Sequence, residues 1–546
     1  MNNTNSNPNV YFGLRKKQKE TYDVCVNKKY GVISDTCGSG KSNIEFELIC
    51  NQILNNQDKP SFIVLAAHRL DLIDQHINNF NNYISTYHPD LVNKYSSFEI
   101  SSADRSKHNI QNSTNKQDIQ RMILGANCPI LITCCYYSIE RLWSAFYGSR
   151  YKVDLMICDE GHFGMSGDTK DKVDTGISKY DCIPFCNSFL VFTATPFKET
   201  MIKTVDEIKI ELIHDYSYAE AVMDNVVLPF NANFYVSEKD DKDYSDGSAA
   251  GMIATAYENL KEVFKDTSAK LLVCGTGLEK NQLYFKSLIE KYRPEIESGK
   301  LAIAKIGSET LTDEEKIIPS SEMVWSENIR PSDNMIPYKI DFQNERDNKS
   351  FVMQNMDLWL NNKSPDGSYR NLIIIHCQML GVGVDIPNIN GVCLLGNKDG
   401  ANLYQSIMRP CRIAYFDRDK SPEDRLEKHF EVYFHVPNDV KDAIHDFIVK
   451  IKEIGGISLL DAMTLNNVTG TKGLDAELTA GAKEMYNKIV EFQKLEEECN
   501  IIFDIEEFET GMKEVEKLTK KYPEYTEYLN TTFSKLVRLK LIELND

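Results

Sequence analysis

The chain has 546 residues, 42% hydrophobic and 26% charged, an ordinary globular composition long enough for three or four packing units of roughly 100–200 residues. Its 62 Lys and Arg against 81 Asp and Glu leave a formal charge of −19. That excludes a uniformly basic nucleic-acid coat and requires any polyanion to be held in a local basic groove. No apolar run reaches the roughly 18 residues of a membrane span, and the polar start lacks a signal-peptide core; the sequence reads as soluble and intracellular, with no membrane partner.

In chain order, residues 1–10 are Asn-rich and read as a disordered start. Short β-branched runs then follow at 30–36, 61–68, 98–103, 129–137, 153–162 and 188–196, alternating with helical stretches. This is the pattern of a parallel sheet wrapped by helices and defines a first unit over 11–228. The segment 216–230 (YSYAEAVMDNVVLPF) and the acidic stretch after it place the boundary near Leu228. A second set of runs at 269–276, 301–309, 371–379, 391–397 and 431–436 gives a second α/β unit over 229–438. Within it, 317–348 carries three prolines and reads as an insertion. Strand signals stop near 439, and helical spacing at 481–503 makes 439–546 a helical accessory region. The 14 cysteines are too sparse for a disulfide scaffold and read as reduced small hydrophobes; Cys182 and Cys186 lack a second pair at zinc spacing.

Residues 32–42 (VISDTCGSGKS) are a strand entering a Gly-rich loop that ends in Lys-Ser before an apolar helix. Glycine permits close backbone approach to a polyphosphate, and a helix start offers free N–H groups. Gly38, Ser39 and Gly40 would curl around the β-phosphate of a polyphosphate, Lys41 would neutralise the β/γ oxygens, and Ser42 would ligate Mg2+. The full pattern asks for Gly at position 35, where this chain has Asp35. Downstream, 155–163 (LMICDEGHF) is an apolar run ending in two carboxylates. There Asp159 can reach the magnesium shell while Glu160 faces the attacking water, the division of labour that phosphoryl transfer requires.

DEGH at 159–162 resembles the DEAD/DEAH box of superfamily 2 helicases and translocases, and the other motifs of that family follow in order over about 11–437. The resemblance implies two tandem RecA-like domains with ATP between them. It makes Arg15 and Gln18 the adenine-reading element, and His162, Thr193 and Thr195 the link between nucleotide and nucleic-acid sites. His68 and Arg69 (motif Ia), Ser138, Gly275 and Thr276 (motif IV) and Cys377 (motif V, where the family usually has Thr) would contact a nucleic-acid strand. Gly383 and Asp385 lie where the family touches the ribose. Gln405, Arg409 and Arg412 match the Gln-x-x-x-Arg-x-x-Arg pattern of motif VI, with both arginines reaching the γ-phosphate on closure. Gln405 and Arg409 are four apart and share a helix face, and Pro410 ends that helix.

The linker at 216–230 resembles that of restriction-enzyme-type and viral or phage DNA helicases, so DNA is favoured as the nucleic-acid partner and RNA is the alternative. The expectation is an ATP-dependent helicase or translocase; the competing reading is an ATP-gated scaffold with a protein partner docked on the C-terminal helical region. Richness in Asn, Lys and Ile points to an AT-rich coding genome, such as a large DNA virus or a low-GC microbe has.

Overall fold

The computed structural model describes residues 13–102, 110–162, 178–194, 203–205, 207–236, 246–307, 311–313, 316–318, 321–325, 370–376, 388–395, 400–436, 463–470 and 508–523, with single positions between them. The first half runs α1 Lys16–Lys28, β1 Tyr30–Asp35, α2 Lys41–Leu54, β2 Ser61–Ala67, α3 Leu70–Tyr87, β3 Ser96–Ile100, β4 Gln111–Asn112, α4 Lys116–Gly125, β5 Pro129–Cys135, α5 Ile139–Phe146, β6 Leu155–Cys158 and β7 Phe189–Thr193. A small hairpin, β8 Lys203–Val205 with β9 Ile208–Ile210, then leads to β10 Leu212–Tyr216 and α6 Tyr218–Met223. The eight-stranded sheet has the order β10-β1-β7-β6-β2-β5-β3-β4, parallel throughout.

Central strands such as SFIVLAA and PILITCC are buried along their whole length, as a sheet covered by helices on both faces demands. Alternate residues serve opposite faces. Val32, Val64, Ile132 and Met156 pack against α4 and α5 on one side; Ile33, Ile63, Leu131 and Ile157 pack against α2 and α3 on the other.

The second half contributes β11 Phe230–Val236, α7 Asp246–Val263, β12 Lys270–Cys274, α8 Leu278–Lys291, α9 Arg293–Glu297, β13 Leu301–Ile306, the pair β14 Leu311–Asp313 and β15 Lys316–Ile318, then β16 Glu322–Val324, β17 Asn371–His376, β18 Gly391–Leu394, the helix Gly400–Ile407, β19 Phe430–Val436, β20 Met463–Gly470 and the helix Phe508–Lys521. Its sheet has the order β16-β13-β17-β12-β18-β19-β11-β20, with only β16 antiparallel to its neighbour. The halves meet through one continuous apolar cluster in which Tyr216, Tyr218 and Leu228 pack with Tyr404 and Cys411.

Three expectations change. The region from 439 onward is not purely helical: β20 pairs with β11 from Phe230 to Val236, since β11 would otherwise leave a bare sheet edge. The supposed insertion begins as structure, because Glu322–Val324 pairs with β13. The runs 129–137 and 153–162 are too long as strands: Tyr136–Ser138 forms a 3-10 turn, and β6 stops at Cys158. The calls at 1–10, 326–348 and 481–503 lie outside the described residues. Among the described residues no helix is long and apolar enough to cross a membrane, and every described cysteine is free.

Candidate active site

The Gly-rich loop leaves the carboxyl end of β1, where ligands bind in open parallel sheets. Gly38 (φ 76°) and Gly40 (φ 82°) both take left-handed conformations, which side chains resist. Gly40 is the N-cap of α2, so that helix's first N–H groups open toward the loop. From α1, Gln18 Nε2 donates to the carbonyls of Ser39 (3.1 Å) and Gly40 (2.9 Å), and the Arg15 guanidinium donates to Ser39 as well. A Cβ at Gly40 would collide with the Gln18 amide. Lys41 is folded over the loop, its Nζ donating to the carbonyls of Asp35 (2.8 Å) and Thr36 (3.2 Å). Burial alone would lower the Lys41 pKa, but Cys37 and then the carboxylates of Glu160, Asp159 and Asp35 outweigh it and hold the ammonium above its ordinary value. The hydroxyl of Ser39 is buried without a partner, so the loop retains an unspent polar group.

Asp35, the departure from the loop pattern, points elsewhere. Its Oδ1 lies 2.8 Å from His214 Nδ1 on β10, and its Oδ2 accepts a long bond from Thr21 of α1. The carboxylate therefore ties β1 to its neighbours instead of entering the cavity.

Beyond β6 the chain turns sharply. Asp159 Oδ1 accepts the N–H of Glu160 (2.8 Å), and Glu160 itself adopts φ 48°, an uncommon conformation for a non-glycine residue. Asp159 Oδ2 is 2.7 Å from His76 Nε2 of α3. Burial would raise Asp159, but the His76 hydrogen bond and charge, together with Lys41, hold it below its ordinary range. Burial and the neighbouring Asp159 charge push Glu160 up to about 7. Behind them Glu45 is pushed well above its ordinary value, first by burial and then by Asp159. His162 Nδ1 lies 3.1 Å from Thr193 Oγ1, joining the ends of β6 and β7.

The opposite wall comes from the second half. The helix Gly400–Ile407 ends one residue before a 3-10 turn, Arg409–Cys411, the break that Pro410 imposes. Tyr404 Oη lies 2.6 Å from Thr36 Oγ1. Gln405 Nε2 donates to Glu160 Oε2 (3.2 Å) and lies 3.2 Å from His162 Nε2. Gly38, Gly40, Lys41, Ser42, Asp159, Glu160, Gln405, Arg409 and Arg412 all line one cavity of about 360 Å³. Arg409 is half-buried there, its pKa lowered by desolvation against the opposing pull of negative groups including Glu160.

Thr195, Cys377, Gly383 and Asp385 lie outside the described residues. The strand-contact candidates sit on a different set of turns from the cavity. His68 and Arg69 follow β2, Ser138 follows β5, and Gly275 and Thr276 follow β12. The His68 and Tyr137 rings are 6.0 Å apart, and Tyr137 is 59% exposed. Gly275 is a correction: its N–H, offered to a phosphate on sequence grounds, donates to the carbonyl of His376 at 2.8 Å. A Cβ there would overlap Asn281, so this glycine serves close packing. Sequence reasoning missed Glu45, His76, Thr36 and Tyr404, whose partners are distant in the chain and carry no local motif.

Two largely parallel sheets thus face one cavity that gathers the glycine loop, the paired carboxylates and the opposing arginines. Residues 10–270 match the SWI2/SNF2 ATPase family model. No curated protein matches the chain significantly. Among solved structures, the ATP-dependent Type ISP restriction–modification enzyme LlaBIII bound to DNA aligns over 90% of this chain and 34% of its own, at 13% identity and TM-score 0.57. A nuclease-deletion mutant of the Type ISP enzyme LlaGI in complex with a DNA substrate mimic aligns over 90% of this chain and 33% of its own, at 13% identity and TM-score 0.49. Mss116p bound to ssRNA and AMP-PNP aligns over 92% and 79%, at 14% identity and TM-score 0.47. The chain thus spans about a third of the length of the two restriction–modification enzymes.

Proposed function

We propose that the chain is a nucleic-acid motor, a helicase or translocase that couples ATP hydrolysis to movement along DNA. The observation that carries this reading is the shared cavity: the loop and carboxylates of one half face Arg409 and Arg412 of the other. In this reading ATP lies along Gly38–Ser42, with Lys41 leaving the Asp35 and Thr36 carbonyls to meet the phosphates. Ser42 and Asp159 would hold Mg2+, which would supply charge neutralisation to the phosphates when bound. Glu160, hydrogen-bonded by Gln405, orients the attacking water. Arg409 and Arg412 stabilise charge developing on the transferred phosphoryl group.

Because the arginines belong to the second half, their fit depends on how the halves meet. Nucleotide state and interlobe geometry are therefore one equilibrium, and cycling it alternates the grip on a strand. His162 and Thr193 link the carboxylate turn to the neighbouring strand end. The half-buried turns at His68, Arg69 and Ser138 and the exposed Thr276 supply polar groups to a phosphate backbone without reading sequence. DNA is favoured because the relative aligned over most of this chain with the higher TM-score is bound to DNA.

The test is ATP turnover with single-stranded, duplex and forked DNA and with RNA. Turnover should rise with DNA and vanish in Lys41→Ala. Stimulation by RNA alone would reassign the substrate, and turnover indifferent to every polynucleotide would overturn the motor reading.

A further inference from the structure

Beside the phosphate loop, three side chains from three elements converge. Glu45 comes from α2, His76 from α3 and Asp159 from the turn after β6, and one ligand atom of each lies within 4.8 Å of the others. His76 Nε2 and Asp159 Oδ2 are already 2.7 Å apart. Glu45 has no exposed surface, and its carboxylate oxygens receive no hydrogen bond from a donor, their polar neighbour being the Asp159 carboxylate. Two carboxylates buried side by side are costly unless a cation or a proton lies between them. The nearby Lys41 ammonium is committed to backbone carbonyls. His76 and Asp159 also line the nucleotide cavity, whereas Glu45 closes the cluster from within the protein.

We propose that Glu45, His76 and Asp159 form a divalent-cation site of the imidazole-plus-carboxylate kind that Mn2+ and related transition ions favour over Mg2+. Neighbouring ligands around a six-coordinate ion with bonds near 2.1 Å stand about 3 Å apart, so the cluster needs only a side-chain adjustment to close on an ion. The two carboxylates bring the charge, the imidazole brings selectivity, and the remaining coordination positions open toward the phosphate loop. The site shares Asp159 with the magnesium set assigned above, but it rests on these three side chains and not on ATP turnover.

Nucleotide-free full-length protein titrated with Mn2+, with free ion followed by electron paramagnetic resonance, tests the site. One Mn2+ should bind per chain, and pulsed measurements should show nitrogen coupling from an imidazole. His76→Ala should abolish that coupling and weaken binding at least tenfold; Glu45→Gln should weaken binding with the coupling retained. Tyr147→Ala, on the exposed surface away from the cavity, should bind Mn2+ like the parent. Thermal melts establish that each variant folds, and Mn2+ should raise the Tm of the parent but not of His76→Ala. If His76→Ala does not fold, nitrogen coupling in the parent decides alone. No Mn2+ bound without nucleotide, bound ion without nitrogen coupling, or equal binding by folded His76→Ala would each overturn the site and leave the carboxylates sharing a proton. DNA-stimulated turnover with Mg2+ on the same preparation tests the motor reading separately.

Discussion

Asp35 occupies a position where phosphate-binding loops carry glycine, and its side chain is used sideways, against His214. Hydrogen bonds to charged groups contribute roughly 1.5–3 kcal/mol. Asp35→Ala should therefore lower stability by about that much while leaving ATP turnover within a few-fold, measured by denaturant melts beside steady-state kinetics. The pair also sets a pH dependence. Burial would lower His214, but the Asp35 hydrogen bond and charge raise it above its ordinary 6.5. A raised histidine stabilises the fold fully below the unfolded value and loses that contribution as pH rises through the folded value. The Tm gap between the parent and His214→Ala should be widest near pH 6 and shrink above neutrality; a gap that grows with pH would contradict the pairing. Arg409 carries the opposite kind of prediction. It faces the phosphate loop from the second half, so Arg409→Ala should bind ATP within several-fold of the parent yet lose two or more orders of magnitude in turnover, read by equilibrium nucleotide binding and single-turnover hydrolysis.

At the level of elements, β20 closes the exposed side of β11, so removing residues from 439 onward should not release a clean two-sheet unit. The truncated chain should melt earlier and aggregate through the bared strand, which light scattering during a thermal ramp would reveal. The turn after β5 carries the complementary expectation. Tyr137→Ala removes an exposed ring beside His68 and should raise the DNA concentration needed for half-maximal stimulation severalfold, with unstimulated turnover unchanged.

These elements also show what a sequence can carry. Fully buried strands such as β2 and β5 announce themselves as unbroken apolar runs, and the glycine loop and carboxylate pair are local in the chain. The strand β20 was hidden because MTLNNVTG mixes two Asn and a Gly into its run. The overlong reading of 153–162 came from counting Asp159 and Glu160 as strand, where the backbone instead turns through φ 48°. Glu45 and His76 looked like ordinary helix residues, since only packing of α2 against α3 brings them to Asp159.

At the scale of the whole molecule, the halves meet through a few polar contacts beside an apolar seam. Tyr404 meets Thr36 directly beside the phosphate loop, and Gln405 meets Glu160. Tyr404→Phe should loosen that seam by about 1 kcal/mol, seen as a several-fold rise in the KM for ATP with folding intact. A second connection is covalent. The edge strand β10 is laced to β1 from Val32 to Asp35, the amide of Thr36 donates to the carbonyl of Tyr216, and the chain runs on through α6 into β11. A tug that separates the halves thus loads this lacing in shear, with several bonds resisting at once instead of unzipping in turn. The strand that carries the glycine-rich loop is thereby the anchor plate of the tether, and mechanical tension would be felt first at that loop.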